Sequence, residues 1–153
     1  MGAVFFYELQ GSPLETTLPM LLDKARGQGW RVLVRSSDAA LLARLDDLLW
    51  QGPVESFLPH GLAGGPHDAD QPILLGDLPG DGFACVMAVG GAAVTPEEAR
   101  ALQRACILFD SHDDAKAQAR VQWKTLTEAG IAAQYWAQQD GRWVKKAEKP
   151  AQG

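Results

Sequence analysis

Ala84-Cys85-Val86-Met87-Ala88-Val89 and Ala105-Cys106-Ile107-Leu108-Phe109 are two apolar runs with one short helical stretch between them. Neither run alternates with polar residues, and both have strand length. They therefore read as strands buried on both faces, the pattern of a parallel sheet. The stretch between them opens at Thr95-Pro96-Glu97-Glu98, a capping box with Pro at the first helical position, and predicts a short helix.

The same alternation extends outward. Upstream, Ala3 to Leu9 is rich in Val, Phe and Tyr, and Ser12-Pro13-Leu14-Glu15 then supplies an N-cap, a proline and an acid for a helix ending near Arg26, before Gly27 and Gly29. Trp30 to Val34 predicts a second strand. Ser37 or Asp38 caps a second helix, whose apolar face is Leu41, Leu42, Leu45, Leu48 and Leu49. His60 to Gly82 holds six Gly and three Pro in 23 residues, so it reads as loop around a short strand, Ile73-Leu74-Leu75. Downstream, Ser111 to Ala129 is a long helix stopped by Gly130, and Ala132 to Gln138 is a last strand. The expected fold is a three-layer α/β/α Rossmann-like sandwich with a mainly parallel central sheet of about five strands. Residues 1–138 form one domain, and 139–153 are a polar, basic C-terminal tail. Four of the 14 basic residues fall in the last 12, namely Arg142, Lys145, Lys146 and Lys149, so a disordered basic arm and a solubilising tail are both open readings.

The chain has 153 residues, of which 46% are hydrophobic and 22% charged, enough for one globular core. Its net charge of −5 argues against autonomous tight binding to nucleic acid, because the overall field repels phosphate. Cys85 and Cys106 lie inside apolar runs and read as reduced core residues. No basic region precedes the first apolar run, which Glu8 interrupts, and no apolar stretch approaches the roughly 20 residues that span a bilayer. A cytoplasmic protein without membrane association is expected.

Catalytic signatures are missing from the sequence. The turn after the first strand, Gln10-Gly11-Ser12-Pro13, lacks the G-x-G-x-x-G fingerprint, and the glycine cluster Gly61 to Gly65 lacks the Lys-Ser/Thr of a phosphate loop. His60, His67 and His112, with Asp68 and Asp70 nearby, lack the spacing of metal ligands and read as loop or capping residues. There is no G-x-S-x-G, and neither Cys has a His beside it in sequence. No catalytic residue, metal or cofactor is assigned.

Two segments carry surface chemistry instead. Lys116, Arg120 and Trp123 are four and three residues apart, so they stack on one helical face over about 10 Å, with Lys124 on the flank. Two cations and an indole suit a short peptide with carboxylates and an apolar end. A solvated helix face with Trp123 packed into the core has the same spacing. The second segment, Leu49 to His60, presents Trp50 and Phe57 between Pro53 and Pro59, which stiffen the chain as an interface loop requires. Closing off the core is the other reading of those two rings.

At these segments the chain resembles the chi subunit family of bacterial DNA polymerase III. The resemblance rests on Phe6-Tyr7, Leu45-Asp46, Leu49-Trp50, the run Glu55-Ser56-Phe57-Leu58-Pro59-His60-Gly61-Leu62-Ala63-Gly64, and Ala119-Arg120 with Trp123-Lys124 and Ala129-Gly130. It implies a non-catalytic clamp-loader accessory subunit that pairs with the psi subunit and binds the acidic C-terminal tail of single-stranded DNA-binding protein. The positions matching the tail site are Lys116, Arg120 and Trp123, with Phe109 as an apolar wall. Trp50, Pro53 and Phe57 match the psi surface, which related members also offer to a helicase. A small nucleotide- or S-adenosylmethionine-dependent enzyme on a Rossmann-like sheet is the competing expectation. A direct nucleic-acid binder using the basic tail and exposed Trp residues is another.

Overall fold

Val32, Leu33 and Val34 are each 0% exposed, the burial on both faces that their unbroken apolar run demands. In the computed structural model, which describes residues 2–9, 14–51, 59–66, 68–140 and 142–151, they begin strand β2 (Val32–Arg35). The other elements are β1 (Ala3–Leu9), α1 (Leu14–Gly27), α2 (Ala39–Trp50), β3 (His60–Leu62), β4 (Ile73–Leu75) and β5 (Cys85–Ala88), followed by α3 (Pro96–Ala101), β6 (Arg104–Asp110), α4 (Asp113–Glu128), β7 (Ala132–Gln139) and β8 (Arg142–Lys149). They build an α/β fold around a single sheet of order β3-β4-β2-β5-β6-β1-β7-β8. Every neighbouring pair is parallel except β7 and β8, which are antiparallel.

The expected count of about five strands is thus corrected to eight. β3 sits in the glycine-rich stretch read as loop, where only three residues pair with β4. β8 lies in residues assigned to the polar tail, and its Lys-rich sequence suits an exposed edge strand better than a core one.

Alternation along the strands sends side chains to two cores. Phe5 and Tyr7 of β1, Val32 and Val34 of β2, and Cys85 and Met87 of β5 meet the leucines of α1 and α2. Val4 and Phe6, Leu33, and Val86 and Ala88 from the same three strands meet Ala99 of α3 and Ala119 and Leu126 of α4. Both cysteines are free and buried, as expected of core residues.

Local signals set the helix ends. The Asp38 carboxylate accepts the Leu41 N–H at 3.1 Å and caps α2, deciding between the two candidate caps. Thr95 and Glu98 close the reciprocal box that opens α3. Ser12 and Pro13, read as the start of α1, lie outside the described residues. Glu98 also reaches across the crevice to Arg35, which is 7% exposed. The Arg35 guanidinium donates to both Glu98 oxygens and to the carbonyls of Leu78 and Ala93. Among the described residues, no helix is long and apolar enough to cross a membrane.

Candidate functional site

α4 is held by its inner face. Ala119, Leu126 and Thr127 are buried, and Trp123 is half-buried against the sheet. The indole meets the Phe6 ring edge-on at 5.4 Å and the Tyr135 ring at 6.2 Å. Phe6 and Tyr135 are register partners on the paired strands β1 and β7, and their rings stack with centroids 6.4 Å apart. The core reading of Trp123 therefore holds in part: the ring packs on Phe6 and Tyr135 but stays half-buried, on the helical face that spacing gives to Lys116 and Arg120.

Arg120 and Lys124 are exposed and Lys116 is half-buried. Among the described residues, none of the three takes part in an ion pair. Three cations fall within two and a half turns of helix, with Asp113 and Asp114 before them in the first turn and Glu128 after them, so the positive charge is confined to the middle of α4.

Phe109 joins this face through Tyr135, with ring centroids 5.8 Å apart. It is 8% exposed and also lines an apolar groove of about 400 Å³ with Ala115, Ala119 and Gln122, on the flank of α4 away from Arg120. Phe109 thus reaches the Trp123 ring through Tyr135, which touches both.

Two participants were not singled out from the sequence, Tyr135 and Glu8. Glu8 is 5% exposed on the face of the sheet that α4 covers, and the Tyr135 hydroxyl donates to its carboxylate. Burial first, and then this bond, push the Tyr135 phenol well above its usual pKa, while the charge of Arg120 pulls it the other way. Arg120 is thus close enough for its charge to be felt at the Tyr135 hydroxyl. The available signal was Glu8 itself, a lone acid in an otherwise apolar strand, which needs a buried partner.

The second predicted surface is visible in part. Trp50 ends α2 at 58% exposure, its ring centroid 4.8 Å from that of His60. His60 is 4% exposed, and its Nε2 lies 3.2 Å from both the backbone oxygen and the carboxylate of Asp46. It is a satisfied buried histidine that supports Trp50. Pro53 and Phe57 lie outside the described residues, as does His67.

Open α/β sheets bind ligands at the carboxyl ends of their strands. Here the crevice beyond β2 and β5, about 520 Å³, is lined by Asp77 and Glu98 as well as Arg35. Its guanidinium is already engaged by Glu98 and two carbonyls, and the two carboxylates repel phosphate. Gly90, at φ +60°, passes so close to α2 that a Cβ there would stand 2.7 Å from Leu41 Cδ2. Among the described residues, no group of three or more His, Cys, Asp or Glu side chains is placed to hold a metal.

The family model described as DNA polymerase III chi subunit, HolC, matches residues 1–134. DNA polymerase III subunit chi of Pseudomonas aeruginosa is 35% identical over 79 residues, which is 50% of this chain and 54% of that protein. The Escherichia coli protein of the same name is 54% identical over 36 residues, 24% of each chain. The aligned stretches thus span about half and about a quarter of these relatives. With the family model running unbroken from β1 into β7, the chain belongs to the DNA polymerase III chi subunit family.

Proposed function

We propose that the protein is a non-catalytic accessory subunit of the DNA polymerase III holoenzyme, with α4 as its receptor for the acidic C-terminal tail of single-stranded DNA-binding protein. The observation that carries this reading is the row of three cations, without ion-pair partners among the described residues, beside a half-buried indole. Arg120 takes a tail carboxylate, Lys116 and Lys124 supply field, and Trp123 contacts the apolar end of the tail, with Tyr135 and Phe109 behind it. Membership of the chi family supports it. The end of α2, where Trp50 is exposed, together with Pro53 and Phe57, is the surface for psi and through psi for the clamp loader; a helicase competes for it. In this reading the protein works in the cytoplasm at the nucleoid, meets DNA only through proteins and uses no cofactor. Residues 1–138 act as one three-layer, Rossmann-like unit.

The test is titration of the purified chain with a fluorescent peptide copying such a tail. Contact through one helical face predicts affinity of about micromolar order, roughly −8 kcal/mol. Binding should weaken with salt, and Arg120→Ala should reduce it at least about tenfold, as expected for a charge-assisted contact. Equal affinity in Arg120→Ala and wild type would refute the assignment.

A further inference from the structure

β8 adds a cation at the border of the α4 face. Lys145 pairs with Trp136 and Ala147 with Tyr135, so Lys146 is the extra residue of a bulge, and the contacts of the two lysines differ. The Lys145 ammonium is 3.0 Å from the Glu148 carboxylate, which also accepts from Gln134. Lys146 instead donates to Gln139 Oε1 at 2.6 Å and, among the described residues, has no carboxylate partner. It rims a hollow of about 260 Å³ shared with Glu8, Tyr135, Ala137 and Gln139. Tyr135 is also the ring that touches Trp123, so this hollow abuts the receptor face. The Glu8 carboxylate lies buried in its floor and accepts from Tyr135, while the exposed charge at the rim is the ammonium of Lys146.

We propose that the Lys146 ammonium, at the rim of the hollow over Tyr135, forms a second carboxylate subsite for the acidic tail. A segment anchored at Trp123 and Arg120 then continues across the sheet edge to β8. This rests on the tail-receptor reading and extends it to a strand beyond residue 134, where the family match ends. The subsite sets how much of the tail is read: an apolar end with one carboxylate engages α4 alone, and a longer acidic segment engages both.

The experiment measures anisotropy of two fluorescein-labelled peptides against the full chain: a nine-residue acidic peptide with a C-terminal aromatic residue, and its last three residues alone. Lys146→Gln should weaken the longer peptide about three- to fivefold and flatten its salt dependence, as loss of one exposed charge contact allows. It should leave the short peptide unchanged. Lys145→Gln, one residue away and paired with Glu148, should bind both like wild type. Wild-type affinity of Lys146→Gln for the longer peptide would overturn the subsite, and so would an equal loss in both lysine variants, which would mark a diffuse edge charge. Arg120→Ala separates the two ideas: if it binds like wild type, the receptor reading itself falls.

Discussion

Trp123 is proposed for the tail site and its ring also supports the core, so Trp123→Ala should lose stability as well as binding. A fully buried Trp or Phe truncated to Ala costs about 3–5 kcal/mol. Trp123 is half-buried, which lowers that figure, but its edge contacts to Phe6 and Tyr135 add roughly 0.5–1.5 kcal/mol each beyond simple burial. A loss of about 3 kcal/mol follows. For a chain of this length each kcal/mol lowers the melting temperature by about 2–4 °C, so the variant should melt roughly 6–12 °C below wild type. Circular dichroism melts and urea titrations measure this directly. Arg120→Ala, altered at an exposed position, should melt within about 2 °C of wild type. Trp123→Tyr should recover most of the stability, because a smaller aromatic ring still reaches both neighbours. A Trp123→Ala protein that melts with wild type would refute the reasoning: the ring would then prop nothing, and its place between Phe6 and Tyr135 would be a surface contact without energetic weight.

The Arg35–Glu98 pair makes an acid-side prediction. Hydrogen bonds from Arg35, then burial opposing them, and N–H donors from Thr95 and Gly80 leave the Glu98 pKa at about 2. Because this lies below the unfolded value of roughly 4.3, the pair's contribution is present above about pH 4.5 and lost as pH falls toward 2. With the Glu98 side chain 23% exposed, screening reduces it to about 1–2 kcal/mol. The gap in urea midpoint between wild type and Glu98→Gln should narrow by about half from pH 7 to pH 3, and a constant gap would contradict the linkage. On the alkaline side, the chain's two tyrosines, Tyr7 and Tyr135, are both pushed well above pH 10, each chiefly by burial. Absorbance at 295 nm should show no tyrosinate in the native protein until about pH 11, while the unfolded chain titrates near 10. Stability should therefore decline as pH rises past 10, and early tyrosinate in the folded chain would place a hydroxyl in water.

The core strands were legible because burial on both faces leaves an unbroken apolar run: β4, β5 and β6 fall where those runs are, and β1 is apolar as far as Glu8. The caps of α2 and α3 were legible for a different reason: Asp38 and Thr95 act through bonds to residues three positions away, inside the reading window. β3 and β8 were hidden because their pairing is decided by neighbours distant in sequence. His60–Leu62 pairs with β4 across the loop, and nothing in His-Gly-Leu itself asks for a strand. Arg142–Lys149 carries four cations and little apolar pattern, yet the preceding Asp140-Gly141 is a strong hairpin signature, and Asp140 does adopt φ +53°. That dipeptide was the clue to treat the basic tail as a returning strand.

The site divides along the same line. Lys116, Arg120 and Trp123 share a helical face by arithmetic, so spacing alone could group them. Tyr135 and Glu8 join them only because β1 lies beside β7, with α4 over that pair, an arrangement no local pattern encodes. Their roles also differ in kind. The helical residues carry exposed charge that spacing can display, whereas the strand residues make a buried carboxylate tolerable beneath it, since Glu8 accepts from Tyr135 on the floor while Arg120 remains above. This layering leaves the α4 cations at the surface, with the Glu8 carboxylate beneath them. At physiological salt, charges beyond about 8 Å are largely screened, so an approaching acidic segment responds to the α4 row and Lys146 more than to the net charge of −5.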